Sequence, residues 1–367
     1  MPPISRAPCR ARMRDDRAMT ETPNARASRR LQPVLVGYGH SGRNFHAPSI
    51  QKASVLLGQR WNVEVLPAIL VDPAVPDALK AIPRAIGDAL YVVHVATPPD
   101  RHLDVLVQAL DLGHRHVLIE KPAVIGQRQV EAMRAAVANA DAKVLVIANW
   151  LVSQLTEVLR YLIQMLQDAG RLEYVDISQS KSRFGRAAAA DPTLASAFEI
   201  EMPHMIALAC DLLGQGLRVE QACCTPLAGP GDRITPWLGS STVHLRTPGG
   251  LPVSVRSDLG APSRERFIEL AIDNGERVRG YYPCDASDHH SQLHRLGPDG
   301  GTWQVEAVLE DNTFMRMITQ AYAYFMGCAP RPRFTVEVGL RASELLATAR
   351  TLAGIDQTEQ HEELGRE

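Results

Sequence analysis

The sequence predicts an α/β domain followed by an α+β one: a doubly wound parallel Rossmann sheet, then an open-faced, mostly antiparallel sheet with helices. Three observations predict it. A short apolar run, Leu31–Val36, leads into glycines spaced G-x-G-x-x-G at Gly37, Gly39 and Gly42. Strand-like and helix-like segments then alternate as far as Trp150, the pattern of a parallel sheet with crossover helices. Beyond Asp168 strand follows strand, as in an antiparallel sheet.

The 367 residues suffice for two domains at roughly 150 residues each. The divisions fall at 1–30, an extension; 31–150, the dinucleotide-binding Rossmann domain; and 151–367, an α+β substrate and oligomerisation domain. The extension is rich in Arg, Ala and Pro and has no apolar core, so it reads as disordered and not as a secretory signal, with Met19 an alternative start. A formal net charge of -2 argues against nucleic acid or an anionic membrane as partner. No apolar run is long enough to span a bilayer. Cys9, Cys210, Cys223, Cys224, Cys284 and Cys328 form no C-x-x-C pair, which fits reduced thiols in the cytoplasm. Of the adjacent Cys223 and Cys224, strand alternation buries one and exposes the other.

In order, Ser41 to Leu57 is a helix that Pro48 kinks or restarts. VEVLPAILVD is a second strand ending at Asp72. Pro73 to Asp88 is proline-broken and too short for an ordinary crossover. ALYVVHVATPP is a strand with Thr97-Pro98-Pro99 as its exit loop. Arg101 to Leu112 is a helix ended by Gly113, HVLIEKP a strand, Gln127 to Ala138 a helix and KVLVIANW a strand. Leu151 to Asp168 is one long amphipathic helix. LEYVDISQSKSRF, LRVEQACC, STVHLRTPGG, LPVSVRSDL, RFIELAIDNGERVRGYY and GTWQVEAVLE read as strands, with hairpin turns at Gly249-Gly250 and Asn274-Gly275. The tail from Asp311 to Ala353 is helical.

Each glycine of the turn has a physical task. Gly37 permits the tight turn, Gly39 lets a pyrophosphate approach the backbone, and Gly42 allows close helix packing. The phosphates then meet unpaired N–H groups at a helix N-terminus. Asp72 either accepts the ribose hydroxyls, favouring NAD over NADP, or only forms the turn before Pro73. Ligands of such a sheet bind beyond the carboxyl ends of its strands. The candidate cofactor contacts are therefore Gly37, Tyr38, Gly39, His40, Ser41, Gly42, Asp72, Ala96, Thr97, Pro98, His102, Glu120 and Lys121. Lys121 points towards the nicotinamide region, where an ammonium polarises a carbonyl, or else pairs with Glu120 or a phosphate. In FEIEMPHMIALACDLLG, Pro203 suits a first helical turn and His204 follows it, where the dipole favours a neutral imidazole able to act as a base. Glu199 or Glu201 could orient that ring; the alternative is a histidine that merely caps. His46 faces either the cofactor crevice or the helix surface. His289, His290 and His294, read as a polar loop, fit no zinc spacing, and no metal is expected.

Together GYGHSGRNFHAP, VATPPDRH and HVLIEKP, in this order and spacing, resemble the Gfo/Idh/MocA oxidoreductases. The resemblance runs from about Leu31 to Ala353. It implies NAD or NADP and hydride transfer at a hydroxyl or keto carbon of a sugar, cyclitol or related small molecule. Lys121 matches the family lysine, Pro122 a proline often preceded by a cis bond, and His204 the family acid/base histidine. Many members carry an aspartate four residues before that histidine; here Ile200 stands there. Where members carry an arginine or tyrosine after the last strand of the first sheet, this chain has Asn149-Trp150. The missing aspartate motivates an alternative, a catalytically inactive NAD(P)-binding sensor. A third reading is reduction of a keto-sugar or imine. An apolar open sheet face predicts a homodimer or homotetramer.

Overall fold

The computed structural model describes residues 29–75, 77–82, 88–183, 196–229, 234–285 and 287–355. The extension expected over residues 1–30 lies outside them except for Arg29 and Arg30, which already belong to the first strand.

Near-continuous apolar runs build the first sheet because both its faces are covered. Strand β1 (Arg29–Val36) is flanked on one side by β2 (Val63–Val65) and β3 (Ile69–Val71), end to end. On the other side lie β4 (Leu90–Val95), β5 (His116–Ile119) and β6 (Lys143–Val146), all parallel. The strand order reverses between β1 and β4, and there the crevice of an open parallel sheet forms. The segment read as one second strand is thus two. Pro67 has no N–H to give to a ladder, and the buried Gln32 amide donates to the Pro67 carbonyl (2.7 Å) across the break.

After the glycine turn, a π-helical turn (Gly42–His46) precedes α1 (Ala47–Trp61), with Pro48 in its first turn. The helix therefore restarts at the proline. Only a 3-10 turn, Ala78–Ala81, is described between β3 and β4. Helices α2 (His102–Asp111) and α3 (Gln127–Asn139) complete the crossovers.

Helix α4 (Gln154–Asp168) starts at Ser153, whose hydroxyl accepts from the Leu155 N–H. Then come β7 (Leu172–Ser180), a single turn α5 (Ala197–Ile200) and α6 (Met202–Leu213), which Gly214 ends. The second sheet adds β8 (Arg218–Cys224), β11 (Ser240–Arg246), β12 (Pro252–Asp258), β13 (Glu265–Ile272), β14 (Arg277–Tyr281), β15 (His290–Leu296) and β16 (Gln304–Glu310). Its order is β16-β15-β14-β13-β7-β12-β11-β8, antiparallel except for β7 beside β12. A small ladder pairs β9 (Leu227–Ala228) with β10 (Ile234–Thr235). The polar loop read around His290 and His294 is in fact strand β15, held by ladders on both sides despite its polar composition. No cluster of three metal-binding side chains occurs among the described residues.

One face of this sheet is core: Val175, Ile177, Val253, Val255, Ile268 and Leu270 are buried against Leu155 and Leu159 of α4 and Met205 of α6. The other face is charged and aromatic. Arg256 pairs with Asp176, Arg277 and Arg279 with Glu269, and the Arg279 guanidinium lies over Phe267 and Trp303. It is not the apolar surface on which the expectation of an oligomer rests. Cys223 is exposed but Cys224 only half-buried, its thiol on the Trp237 carbonyl.

The chain ends by returning to the first sheet. Helix α7 (Thr313–Phe325) packs on α1, and α8 (Val336–Leu352) on α3 and β6. Val336 and Leu340 join the core of the first domain, and Gly339 sits so near Val146 that a Cβ would lie 2.7 Å from it.

Candidate active site

The glycine turn folds as its spacing requires. Gly37 has φ +92, and a Cβ there would lie 2.7 Å from the Ala96 carbonyl oxygen. A Cβ on Gly42 would lie 2.4 Å from the Gly37 carbonyl oxygen. Gly39 is different: apart from its own chain neighbours, no atom of the described residues lies within 4 Å of where its Cβ would be, and it lines the main cleft.

That cleft, about 640 Å³, lies between the carboxyl ends of the first sheet and one end of the second. Gly39, His40, Ser41, Ala96, Thr97, Pro98, Glu120 and Lys121 reach it from the first domain, and His204, Glu201, Lys181, Arg183 and Arg266 from the second. Lys121 and His204, more than eighty positions apart, share it. A second cavity of about 440 Å³ lies beyond β1 and β3, lined by Val36, Val71, Pro73, Lys80 and Arg101 among others. Asp72 is exposed between Val71 and Pro73. Its Oδ1 accepts the Ala74 N–H (2.9 Å), so the turn is made, while Oδ2 has no partner among the described residues.

Five expected cofactor contacts do not line the cleft: Gly37 is closed in by Ala96 at the turn, Asp72 lies apart beside the second cavity, and Tyr38, Gly42 and His102 have other places. Tyr38 is exposed beneath the Arg43 guanidinium, 5.4 Å from the ring centroid. Gly42 is consumed by packing. His102 is fully buried and ties two site loops together, its ring nitrogens 2.9 Å from the Thr97 carbonyl and 2.8 Å from that of Pro122.

Lys121 follows the end of β5, and the Lys121–Pro122 peptide is cis. Its ammonium donates to the Ile200 carbonyl, not to Glu120. Ile200 thus meets the lysine through its backbone, at the break between α5 and α6. Burial lowers the Lys121 pKa, opposed by the charges of Glu201 and Glu120.

His204 lies in the first turn of α6 with its ring parallel to Trp150, centroids 6.3 Å apart; Trp150 in turn stacks on Tyr282 at 4.6 Å. Burial, and then the Lys121 charge, hold its pKa down at about 3. The imidazole is therefore neutral, and its Nδ1 is buried with no partner among the described residues. Neither glutamate orients it by a side-chain bond, contrary to expectation. Glu199 accepts from Ser196 (2.5 Å) and Arg350 (3.1 Å); Glu201 accepts from Lys181 and Arg183, each at 3.3 Å. Packing on Trp150 takes over that task, a role that nothing at Asn149-Trp150 signals in sequence.

Behind Lys121 runs a buried chain of polar groups. Glu120 takes hydrogen bonds from Ser41, from the Lys121 N–H (3.1 Å) and from His46 Nε2 (3.1 Å). His46 Nδ1 meets His94 Nδ1 at 2.9 Å, and His94 Nε2 meets the Tyr322 hydroxyl at 2.7 Å. Burial pushes the Glu120 pKa up, but the His46 and Ser41 bonds and the Lys121 charge outweigh it and hold the carboxylate ionised. An ionised carboxylate only accepts, so His46 donates from Nε2, and its other ring nitrogen continues the chain to His94 and on to Tyr322. Burial, and then the neighbouring His46, lower the His94 pKa well below the ordinary histidine value. His46 thus lies neither in the crevice nor on the helix surface.

These shifts set how stability depends on pH. His204 (about 3), His116 (about 4, by burial and Lys143), His94 and His102 are all lowered from 6.5 in the folded chain. Unfolding raises their pKa, so the unfolded state binds more protons below 6.5 and stability falls as pH falls. Glu120 and Glu201, held low, lose their contribution only once pH drops below their unfolded value of 4.5. Glu199, whose carboxyl pKa burial raises above 4.5 so that it gains stability as pH falls, acts against these four histidines in the window from 6.5 down to 4.5. The melting temperature is expected to fall steadily across it, and His204→Gln to flatten that slope; a flat profile in the wild type contradicts the assignment.

The residues present fit a nicotinamide dinucleotide. The cleft and the second cavity flank the strand-order reversal. Gly39 offers open backbone, and Thr97 brings to the cleft a buried hydroxyl with no partner among the described residues.

Comparison with known proteins agrees. A 3-ketoreductase from Actinomadura kijaniata, solved with TDP-benzene and NADP, is 18% identical, with a TM-score of 0.63 over 88% of this chain and 97% of that one. A levoglucosan dehydrogenase, solved with NADH and levoglucosan, is 15% identical, with a TM-score of 0.66 over 89% and 98%. An NAD-binding oxidoreductase from Klebsiella pneumoniae is 16% identical, with a TM-score of 0.66 over 88% and 96%. At these identities the likeness establishes the two-domain fold. No curated protein sequence matches significantly. Among the described residues no helix is long and apolar enough to cross a membrane. Residues 31–148 match the model of the oxidoreductase family with an NAD-binding Rossmann fold, and the first domain of this chain is a member of that family, Gfo/Idh/MocA.

Proposed function

We propose that the chain is an NAD(P)-dependent oxidoreductase acting on a hydroxyl or keto carbon of a sugar, cyclitol or related small molecule. The observation that carries the reading is the shared cleft, which holds Lys121 and a neutral His204 beside the glycine turn. When bound, the nicotinamide supplies or accepts the hydride. Lys121 keeps two N–H donors beyond its bond to Ile200, enough to hold the reacting oxygen and stabilise negative charge on it. In oxidation the neutral His204 takes the hydroxyl proton at Nδ1. In reduction the Lys121 ammonium, its pKa lowered by burial, is the better proton donor. Asp72, exposed between the Val71 and Pro73 that line the second cavity, is the ground for preferring NAD. The names of two structural relatives, a ketoreductase and a sugar-derivative dehydrogenase, support a carbinol or ketone substrate. The test pairs NADH binding with turnover of polyols, cyclitols and keto-sugars, on the wild type and on Lys121→Ala. Binding with turnover that needs Lys121 supports the reading; binding with no turnover in the wild type favours a sensor.

A further inference from the structure

The second-domain side of the cleft is cationic for a structural reason. Beyond β7 the chain stays extended, its Lys181 and Arg183 N–H groups bonded to the Asp258 and Leu259 carbonyls (2.9 and 2.8 Å). The two-residue period of β7 therefore continues, and Val175, Ile177, Gln179, Lys181 and Arg183 fall on one face. The first two are core; the last two line the cleft. On β13, Arg266 lies opposite Gln179 in register and shares the face of Ile268 and Leu270.

The only carboxylate that Lys181 and Arg183 pair with among the described residues is Glu201, and both use the same oxygen. Arg266 spends one N–H on the Pro283 carbonyl. Counting Lys121, four cations line the cleft with three carboxylates, Glu120, Glu199 and Glu201, and Glu199 is paired with Arg350 behind the wall. The hydrogen-bond inventory leaves the same surplus. The Nε–H groups of Arg183 and Arg266 are buried without an acceptor among the described residues. Both ends of the Gln179 amide, 1% exposed, are also without a partner. Buried donors left so are costly, and a group of them at a cleft marks a place for an acceptor.

We infer that the substrate carries an anionic group, a carboxylate or a phosphate ester, held by Lys181, Arg183 and Arg266 while Lys121 holds the reacting oxygen. This rests on the oxidoreductase reading for the second half only; the anion site stands or falls by itself. Leu227, Leu238 and Leu259 add an apolar part of the wall for a neutral part of the molecule.

The test is calorimetric titration of the full-length, NADH-saturated protein with D-glucuronate, glucose 6-phosphate and D-glucose. Repeats use Arg183→Gln and Arg266→Gln, with NADH affinity as the check on folding. One charge-assisted contact is worth roughly ten- to a hundredfold in affinity. An anionic sugar is therefore expected to bind at least tenfold tighter than glucose, and each substitution to erase most of that margin. The tighter of glucuronate and glucose 6-phosphate identifies the anion as carboxylate or phosphate. Equal binding of all three sugars, or a margin that survives both substitutions, overturns the inference. Anion binding without turnover of any substrate would leave the site and refute the oxidoreductase; turnover of neutral sugars without anion preference would do the reverse.

Discussion

Lys121→Ala is expected to lower kcat by about a thousandfold or more while NADH affinity stays within roughly threefold of wild type. A preorganised donor to a developing oxyanion is worth about 10² to 10³ in rate, and proton transfer by a placed side chain about 10² to 10⁴. Lys121 serves both ends in reduction, so that direction suffers most. Its ammonium touches the second domain at the Ile200 carbonyl, and the glycine turn does not depend on it. Cofactor binding should therefore survive. Loss of NADH binding together with activity would mean that Lys121 serves the nucleotide. Unchanged turnover would remove it from the chemistry.

His46→Leu should give the largest loss of stability among conservative changes near the site, about 3 kcal/mol, read from denaturant midpoints. It takes one hydrogen bond from the ionised, buried Glu120 and leaves the buried His94 Nδ1 without its partner. Tyr322→Phe, at the far end of the same chain, removes only the last hydroxyl and should cost about 1 kcal/mol. A His46→Leu effect no larger than a surface substitution, within about 0.5 kcal/mol, would contradict the place of His46 in the buried chain. Because Glu120 also accepts the Lys121 backbone N–H, His46→Leu is expected to lower kcat as well, with Tyr322→Phe following weakly.

The first domain was legible because its signals are local. A strand, three glycines and a helix follow one another between Arg29 and Trp61, and steric limits at Gly37 and Gly42 leave little choice of residue. The Lys121 and His204 pairing was legible only through family resemblance, since nothing in spacing brings positions so far apart together. Strand β15 was missed because its composition is polar; its ladder bonds on both sides, not its side chains, make it a strand. His102 was misplaced because a loop histidine beside a cofactor turn and one tying loops from behind look alike in sequence. The absence of aspartate at Ile200 suggested a broken relay. In the fold the backbone carbonyl at that position reaches Lys121, which no side-chain pattern reveals. Lys181, Arg183 and Arg266 went unread because their common face depends on a strand register that only the fold supplies.

The most direct test of a nicotinamide dinucleotide at the glycine turn is protein-induced fluorescence of NADH and NADPH, titrated side by side on wild type and Asp72→Ala. Saturable NADH binding, tighter than NADPH and weakened about tenfold or more by Asp72→Ala, is the predicted result, since hydrogen bonds from ribose hydroxyls to a carboxylate carry about that much. Tighter NADPH binding would take Asp72 out of the site. Binding of neither would contradict the oxidoreductase reading itself.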